Sequence, residues 1–306
     1  MKKFLSVLTA VVLILCTAAC HIQKTEHDPN KLSIVATIFP QFDFARQISG
    51  DKAEVTMLIP PGAESHSFEP TVSDITSISE CDIFIYTGGE SDTWIDSLLK
   101  NANNPQMSVI SLVDCVDLSE EHNHNEEHNH SHVDEHVWTS PVNAVKICET
   151  ICSELQKKDT ANSEYYKQNL ENYKAELISL DAKFRSVVKN AKHDTFVFAD
   201  RFPLTHFAHE YGLNHYAAFS GCSEDTEPSA NAVATLVDKV REENLSAVLK
   251  IELSSDSIAQ TIKNETGAKI LTFYSCHNIS KTDFDNGETY LSLMQKNTET
   301  LKIALN

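Results

Sequence analysis

The sequence predicts an α/β protein with two lobes, each built on a central mostly parallel sheet flanked by helices, and joined by a long rigid helix. Three observations lead to this fold class. Short β-rich runs alternate with amphipathic helices from residue 32 to residue 100, and a second series of the same kind begins near residue 195. Between the two series lies a long segment without Pro or Gly. We therefore expect an N-terminal lobe at 20–160, a linking helix at 161–190 and a C-terminal lobe at 191–306.

The first series supplies the elements of the N-terminal lobe. Strands are predicted at 33–37, 55–59 and 82–86, and helices at 42–48, 71–79 and 94–100. A further helix is expected to start after Pro141. Consecutive β/α units of this kind form a parallel sheet with helices on both faces.

The linking helix is predicted at residues 163–189. Asn162 and Ser163 are suitable N-terminal caps, and apolar residues recur at helical spacing along the whole segment. At 1.5 Å per residue the helix would be roughly 40 Å long. A helix of this length would connect the lobes stiffly. The alternative is an ordinary helix packed on one lobe.

The second series repeats the alternation. Strands are predicted at 195–199, 247–251 and 269–272, and helices at 204–211, 232–243, 258–266 and 290–305. Gly212 and Gly267 follow two of these helices, as expected of C-terminal stop signals.

The N-terminus has the features of a bacterial lipoprotein signal peptide at residues 1–19. Lys2 and Lys3 precede an apolar stretch at 4–15 that is too short to cross a bilayer comfortably. The small-residue segment TAAC at 17–20 resembles a lipobox, in which Cys20 becomes the lipid attachment site. This predicts an extracytoplasmic protein anchored to the cell membrane as a lipoprotein.

A histidine-rich run indicates that the protein handles a transition metal. The formal net charge is −19, which disfavours nucleic acid and favours cations. Imidazoles alternate with carboxylates over 120–132, a composition that binds borderline cations such as zinc. We expect this loop to be a low-affinity site that captures the ion and passes it on; its histidines are His122, His124, His128, His130 and His132. The alternatives are an expression tag and a merely solvated acidic loop.

The cysteines that remain after the signal and the lipid site are even in number, which permits disulfides without proving them. Cys148 and Cys152 lie four apart in a helical pattern, near the far limit of disulfide reach, and are predicted to be core thiols. Cys222 and Cys276 are the best candidate disulfide pair.

Candidate metal ligands occur in three loops outside the histidine-rich run. His66 lies in IPPGAESHSFEP (59–70), directly after a strand, where α/β proteins present ligand groups. His136 lies in DEHVW (134–138), and His277 lies just beyond the last predicted strand. Imidazoles in equivalent loops are the ligands expected of a zinc site.

These segments resemble the cluster A-I metal receptors of ABC importers, and most closely the zinc-binding lipoproteins among them. The resemblance covers nearly the whole mature chain. It rests on VATIFPQFDFA (35–45), LIPPGAESHSFEP (58–70), DEHVW (134–138), AHEYGL (208–213) and ETGAKI (265–270). The histidine-rich insertion just upstream of the second ligand motif is typical of zinc members.

The resemblance implies a high-affinity receptor that delivers Zn²⁺, its transported ligand, to an ABC permease and ATPase. The receptor is expected to be a monomer with no catalytic residues. By this resemblance His66, His136 and His277 are metal ligands. The usual third-ligand position falls on Arg201, which cannot donate a lone pair. His206, water or a carboxylate such as Glu227 would then complete the shell, and Arg201 would form a structural salt bridge with Asp200, Glu224 or Glu227.

Three other functions remain open at this point. A zinc-dependent hydrolase also uses three histidines and an open position, but no HExxH pairing occurs and no general base is evident beside the candidate ligands. A manganese or iron receptor of the same family would favour carboxylate ligands. An adhesin or extracellular metal buffer is the third.

Overall fold

The computed structural model describes residues 28–63, 68–89, 92–101, 104–117, 134–219 and 228–306. Contacts divide the chain into two units, Met1–Lys31 and Leu32–Asn306. In the described part of the first unit, a turn brings the Lys31 amide within 2.9 Å of the Asp28 carbonyl. Within the described ranges, no helix combines the length and the apolar character that a membrane span requires.

The first sheet of the second unit has four parallel strands in the order β2-β1-β3-β4. Its strands are β1 (Leu32–Ala36), β2 (Ala53–Met57), β3 (Ile83–Tyr86) and β4 (Ser108–Ser111). The helices around it are α1 (Phe39–Ser49), α2 (Val72–Glu80), α3 (Thr93–Asn101) and α4 (Pro141–Lys158). Ile34 of β1 lies between Val55 and Ile83 in the register, so the most apolar strands occupy the centre.

The second sheet repeats this topology, with all strands parallel in the order β6-β5-β7-β8. Its strands are β5 (Thr195–Phe198), β6 (Asn214–Ala217), β7 (Ala247–Lys250) and β8 (Lys269–Thr272). Its helices are α6 (Thr205–Tyr211), α7 (Ala230–Glu242), α8 (Ser257–Thr266), α9 (Lys281–Asp285) and α10 (Tyr290–Ala304). In each sheet, the loops at the carboxyl ends of the strands share one edge, where α/β proteins bind ligands.

Helix α5 (Ser163–Lys189) connects the two series and packs against α1, α4 and α10. Its buried residues, Tyr166, Leu170, Tyr173, Leu177, Leu180 and Phe184, recur at three- and four-residue spacing. They join a core cluster that also contains residues of both sheets, such as Ile34 and Phe196. Helix α5 therefore contacts elements from both series, rather than elements from one lobe alone.

The α/β fold class with a long helix is confirmed, and α5 has the predicted bounds. Gly212 and Gly267 adopt φ angles of 64° and 79°, the left-handed conformation that ends a helix. Strands β4 and β6 and the short helix α9 were not predicted. The domain boundaries at 160 and 190 stay a prediction, since Leu32–Asn306 form one compact unit.

Candidate metal centre

His136 is held by its neighbour Asp134 in a buried position. The Nδ1 atom of His136 lies 2.6 Å from Oδ1 of Asp134, and the same oxygen accepts the backbone N–H of His136 at 2.9 Å. Because the carboxylate accepts the proton on Nδ1, the lone pair of the imidazole is placed on Nε2. A carboxylate that fixes the tautomer in this way is the usual companion of a zinc-binding histidine.

The ionised form of Asp134 is stabilised locally. Burial alone would raise its pKa, but the hydrogen bond and charge of His136, together with a hydrogen bond from Thr205, hold the pKa of Asp134 well below its usual value. Asp134 therefore stays a carboxylate at neutral pH and can keep orienting the imidazole.

His206 contacts the backbone of Asp134, whose side chain contacts His136. It is buried at the start of α6, and its Nε2 atom lies 2.8 Å from the backbone carbonyl of Asp134. A carbonyl only accepts, so this nitrogen carries the proton. In this arrangement His206 supports the Asp134 segment, and any coordination to an ion would use Nδ1.

His277 follows β8 in a turn with unusual backbone geometry. The preceding residue, Cys276, is buried and has a φ of 58°, which is uncommon for a residue other than glycine. The hydroxyl of Ser275 accepts the backbone N–H of His277 at 3.2 Å. These contacts fix the direction in which the chain leaves β8, and with it the position of the imidazole.

The turn brings His277 against His136. The centroids of the two imidazole rings are 5.0 Å apart, and the indole of Trp138 contacts both, at 5.2 Å from His136 and 5.3 Å from His277. In the chain, His136 follows the strands of the first sheet and His277 follows the strands of the second sheet. Two predicted ligands that are distant in sequence therefore lie side by side.

The third predicted ligand, His66, lies outside the described residues, but the start of its loop is described. The N–H of Gly62 donates to the carbonyl of Ile279 at 2.8 Å, and the Asn278 side chain donates to the carbonyl of Ala63. The loop that leads to His66 is thus hydrogen-bonded to the two residues that follow His277.

Within the ranges given above, no group of three His, Cys, Asp or Glu side chains is arranged to hold a metal ion. Those ranges contain the pair His136 and His277 and exclude residues 64–67. The ligand set His66, His136 and His277 therefore stays a prediction.

Arg201 occupies the loop after β5. Its guanidinium lies 5.8 Å from the centroid of the Phe219 ring, and its backbone N–H donates to Oδ1 of Asp200 at 2.8 Å. Of the carboxylates predicted to form a salt bridge with Arg201, Glu224 and Glu227 lie outside the described residues. The contact with Phe219 has the geometry of a cation–π interaction, and the structural salt bridge of Arg201 stays a prediction.

The thiols of Cys148 and Cys152 are buried and free, as predicted. Cys276 is also buried, and burial raises the pKa of its thiol form well above the usual value. Its candidate partner Cys222 lies outside the described residues, so that pairing stays a prediction. Cys20 and the low-affinity loop from His122 to His132 lie outside the described residues as well.

Glu252 supports the segment that leads to His277 and was not predicted from the sequence. It follows β7, and its carboxylate accepts the backbone N–H of Ser275 at 2.7 Å and the hydroxyl of Ser275 at 2.8 Å. Burial raises the pKa of Glu252 to about 7, although these donors and the N–H of Cys276 oppose the increase. The signal available in the sequence was an acidic residue at the carboxyl end of a predicted strand.

Replacing Glu252 by glutamine should change how stability depends on pH. The folded-state pKa of about 7 exceeds the ordinary glutamate value of 4.5, so folding disfavours the charged form. In the parent protein this lowers the free energy of unfolding as pH rises from about 4.5 through 7, by on the order of 3 kcal/mol. The free energy of unfolding of metal-free protein, measured with urea, should fall less between pH 5 and pH 8 in Glu252→Gln than in the parent protein. The exposed Glu243→Gln variant is the control, and equal losses in all three proteins would contradict the assignment.

Replacing Asp134 by asparagine should weaken zinc binding about 10- to 100-fold, since the neutral amide orients the imidazole but no longer increases its basicity. Competition with a chromophoric zinc chelator measures this change. Asp238→Asn, on the exposed face of α7, removes the same charge away from the candidate centre and should leave the affinity unchanged. Equal affinities for both variants would show that the carboxylate of Asp134 does not act on His136.

Comparison with known proteins identifies the family. A family model described as ZnuA, zinc-uptake complex component A, periplasmic, matches residues 34–304. The high-affinity zinc uptake system protein ZnuA of Bacillus subtilis (strain 168) is 34% identical over 315 residues, which cover 99% of this chain and 98% of that protein.

Two solved structures are similar over 90% of this chain. The metal-dependent lipoprotein YcdH from Bacillus subtilis aligns with a TM-score of 0.79 and 33% identity over its full length. The Zn(II)-bound ZnuA-like domain of Streptococcus pneumoniae AdcA aligns with a TM-score of 0.75 and 30% identity over 99% of that domain. AdcA itself is longer, and this chain spans 61% of the protein from strain R6. The chain therefore belongs to the ZnuA family of zinc-uptake components.

Proposed function

We propose that this protein is the extracytoplasmic zinc receptor of an ABC importer. The observation that carries the proposal is the approach of His136 and His277 to a ring distance of 5.0 Å, with Asp134 placing the lone pair of His136 on Nε2. The family supports the proposal, since a zinc-uptake component needs a site that binds a zinc ion reversibly.

The proposed ligands are His66, His136 and His277, with His206 as a candidate fourth through Nδ1. Neutral imidazoles suit zinc at Zn–N distances of about 2.0–2.1 Å, whereas manganese and iron(II) sites rely more on carboxylate oxygens. The Zn(II)-bound domain of AdcA supports zinc as the transported ion. Zinc is cargo here, and we assign no catalytic role to the protein.

Cys20 would carry the lipid that anchors the receptor outside the cell membrane, which agrees with the lipoprotein YcdH among the similar structures. The loop from His122 to His132 would capture zinc at low affinity for the main site. The monomeric receptor would then pass the ion to a permease and its ATPase.

Two measurements test this function. The purified protein should bind one Zn²⁺ tightly enough to compete with a strong chelator and should bind Mn²⁺ much more weakly. In cells that lack the gene, the full-length chain should restore zinc uptake when zinc is scarce, whereas a chain carrying both His136→Ala and His277→Ala should not. Tighter binding of Mn²⁺, or restored uptake by the double variant, would contradict the proposal.

A further inference from the structure

Trp138 packs beside the two described candidate ligands and contacts both of them. It lies in the short 3₁₀ turn Val137–Thr139, between His136 and the start of α4, and it is fully buried. An indole is large and carries one N–H donor, which requires a partner when it is buried. Which partner Trp138 uses therefore decides what the residue holds in place.

The partner belongs to the turn that carries His277. The indole Nε1 of Trp138 donates to the backbone carbonyl of Ser275 at 3.0 Å, a contact between residues 137 positions apart. The indole ring also contacts both imidazoles edge to face or tilted. One side chain thus fills the space beside His136 and His277 and is hydrogen-bonded to the backbone two residues before His277.

The backbone of Trp138 is held independently. The hydroxyl of Tyr290, the first residue of α10, donates to the carbonyl of Trp138 at 2.7 Å. The N–H of Tyr290 in turn donates to the buried carboxylate of Asp43 in α1 at 2.9 Å. The side chain of Trp138 is therefore fixed by the carbonyl of Ser275, and its backbone is fixed by Tyr290 of α10. Trp138 has little freedom to shift relative to these two residues.

We propose that Trp138 is a positioning residue that sets the separation of His136 and His277, so that protein contacts rather than the ion determine the spacing of these two imidazoles. The inference rests on the proposed zinc site and adds a residue that contacts no metal. Two consequences follow. Zinc binds to a pair of imidazoles that is already in place, and the Trp138–Ser275 hydrogen bond is the contact that must loosen for the pair to separate and release the ion.

The test is the Trp138→Phe variant, which keeps an aromatic ring and removes the Nε1 donor. We expect its zinc affinity to fall about 10- to 100-fold, mainly through faster dissociation, as for other residues that orient metal ligands indirectly. With Co²⁺ as the spectroscopic probe, the d–d absorption of the bound ion should change in position or intensity, since the two imidazoles no longer have a fixed spacing. Tyr290→Phe, which leaves the indole intact and removes the hydroxyl donor to Trp138, should change both readouts in the same direction.

Ile262→Val is the matched control for general destabilisation. Ile262 is buried in α8, in a core cluster that contains none of the residues discussed here as ligands or supports. This variant should lose stability and keep the parent dissociation rate and Co²⁺ spectrum.

The outcomes separate the inference from the proposed function. Parent-like dissociation and Co²⁺ spectra in both Trp138→Phe and Tyr290→Phe, with zinc affinity still lost in His136→Ala and His277→Ala, would overturn the positioning role alone. Undiminished zinc affinity in the two histidine variants would overturn the zinc site and the positioning role together.

Discussion

Replacing His277 by alanine is expected to lower the affinity for zinc about 100-fold or more. Structural zinc sites with four ligands have binding free energies of roughly 10–16 kcal/mol, so one imidazole contributes on the order of 3 kcal/mol. His277 follows a turn that several hydrogen bonds fix, and its ring lies 5.0 Å from that of His136. A water molecule could occupy the vacated position but would be a weaker ligand. Competition with a chromophoric chelator at pH 7.5 measures the loss.

His209→Ala is the matched control for this substitution. His209 is exposed on α6, three residues after His206, so its removal deletes an imidazole from the same lobe without touching the candidate centre. Its affinity for zinc should equal that of the parent protein. If His277→Ala also kept the parent affinity, His277 would not be a ligand.

Phe184→Ala in the long helix should lower the free energy of unfolding by about 3–5 kcal/mol. The Phe184 side chain is 0% exposed, and its ring centroid lies 4.9 Å from Phe207 and 5.3 Å from Tyr211, both in α6. Truncation leaves a cavity between α5 and α6 that the rigid neighbours cannot fill. Chemical denaturation of metal-free protein measures the change, and a melting temperature lower by roughly 10 °C should accompany it.

Ile178→Ala in the same helix provides the comparison. Ile178 is 53% exposed, so its truncation creates no cavity and should change stability by no more than about 0.5 kcal/mol. Similar losses for the two variants would mean that α5 is not held by the aromatic contacts of its buried face.

The long helix was predictable because its signals are local. Residues 163–189 contain neither Pro nor Gly, and their apolar positions keep one period throughout, so the helix bounds follow from the sequence alone. Strands β4 and β6 were missed for the opposite reason. Each has four residues, and Asn214 and His215 make β6 too polar to recognise; pairing with β5 determines its conformation.

The candidate centre was predictable only in part. His277 could be named because it follows a predicted strand, and His136 because its segment DEHVW resembles a ligand motif of the metal receptors. Their supports could not, since the contacts of Trp138 with Ser275 and of His206 with Asp134 join residues 137 and 72 positions apart. Which ring nitrogen of His136 carries the proton depends on the position of one carboxylate, and no pattern of residue types specifies that position.

The most direct test is a crystal structure of the zinc-loaded protein, with anomalous data collected on both sides of the zinc absorption edge. One anomalous peak should lie about 2.0–2.1 Å from Nε2 of His136 and from a ring nitrogen of His277, with Nδ1 of His136 still bonded to Asp134. A fully occupied zinc ion elsewhere, with His136 and His277 both outside its coordination shell, would contradict the account.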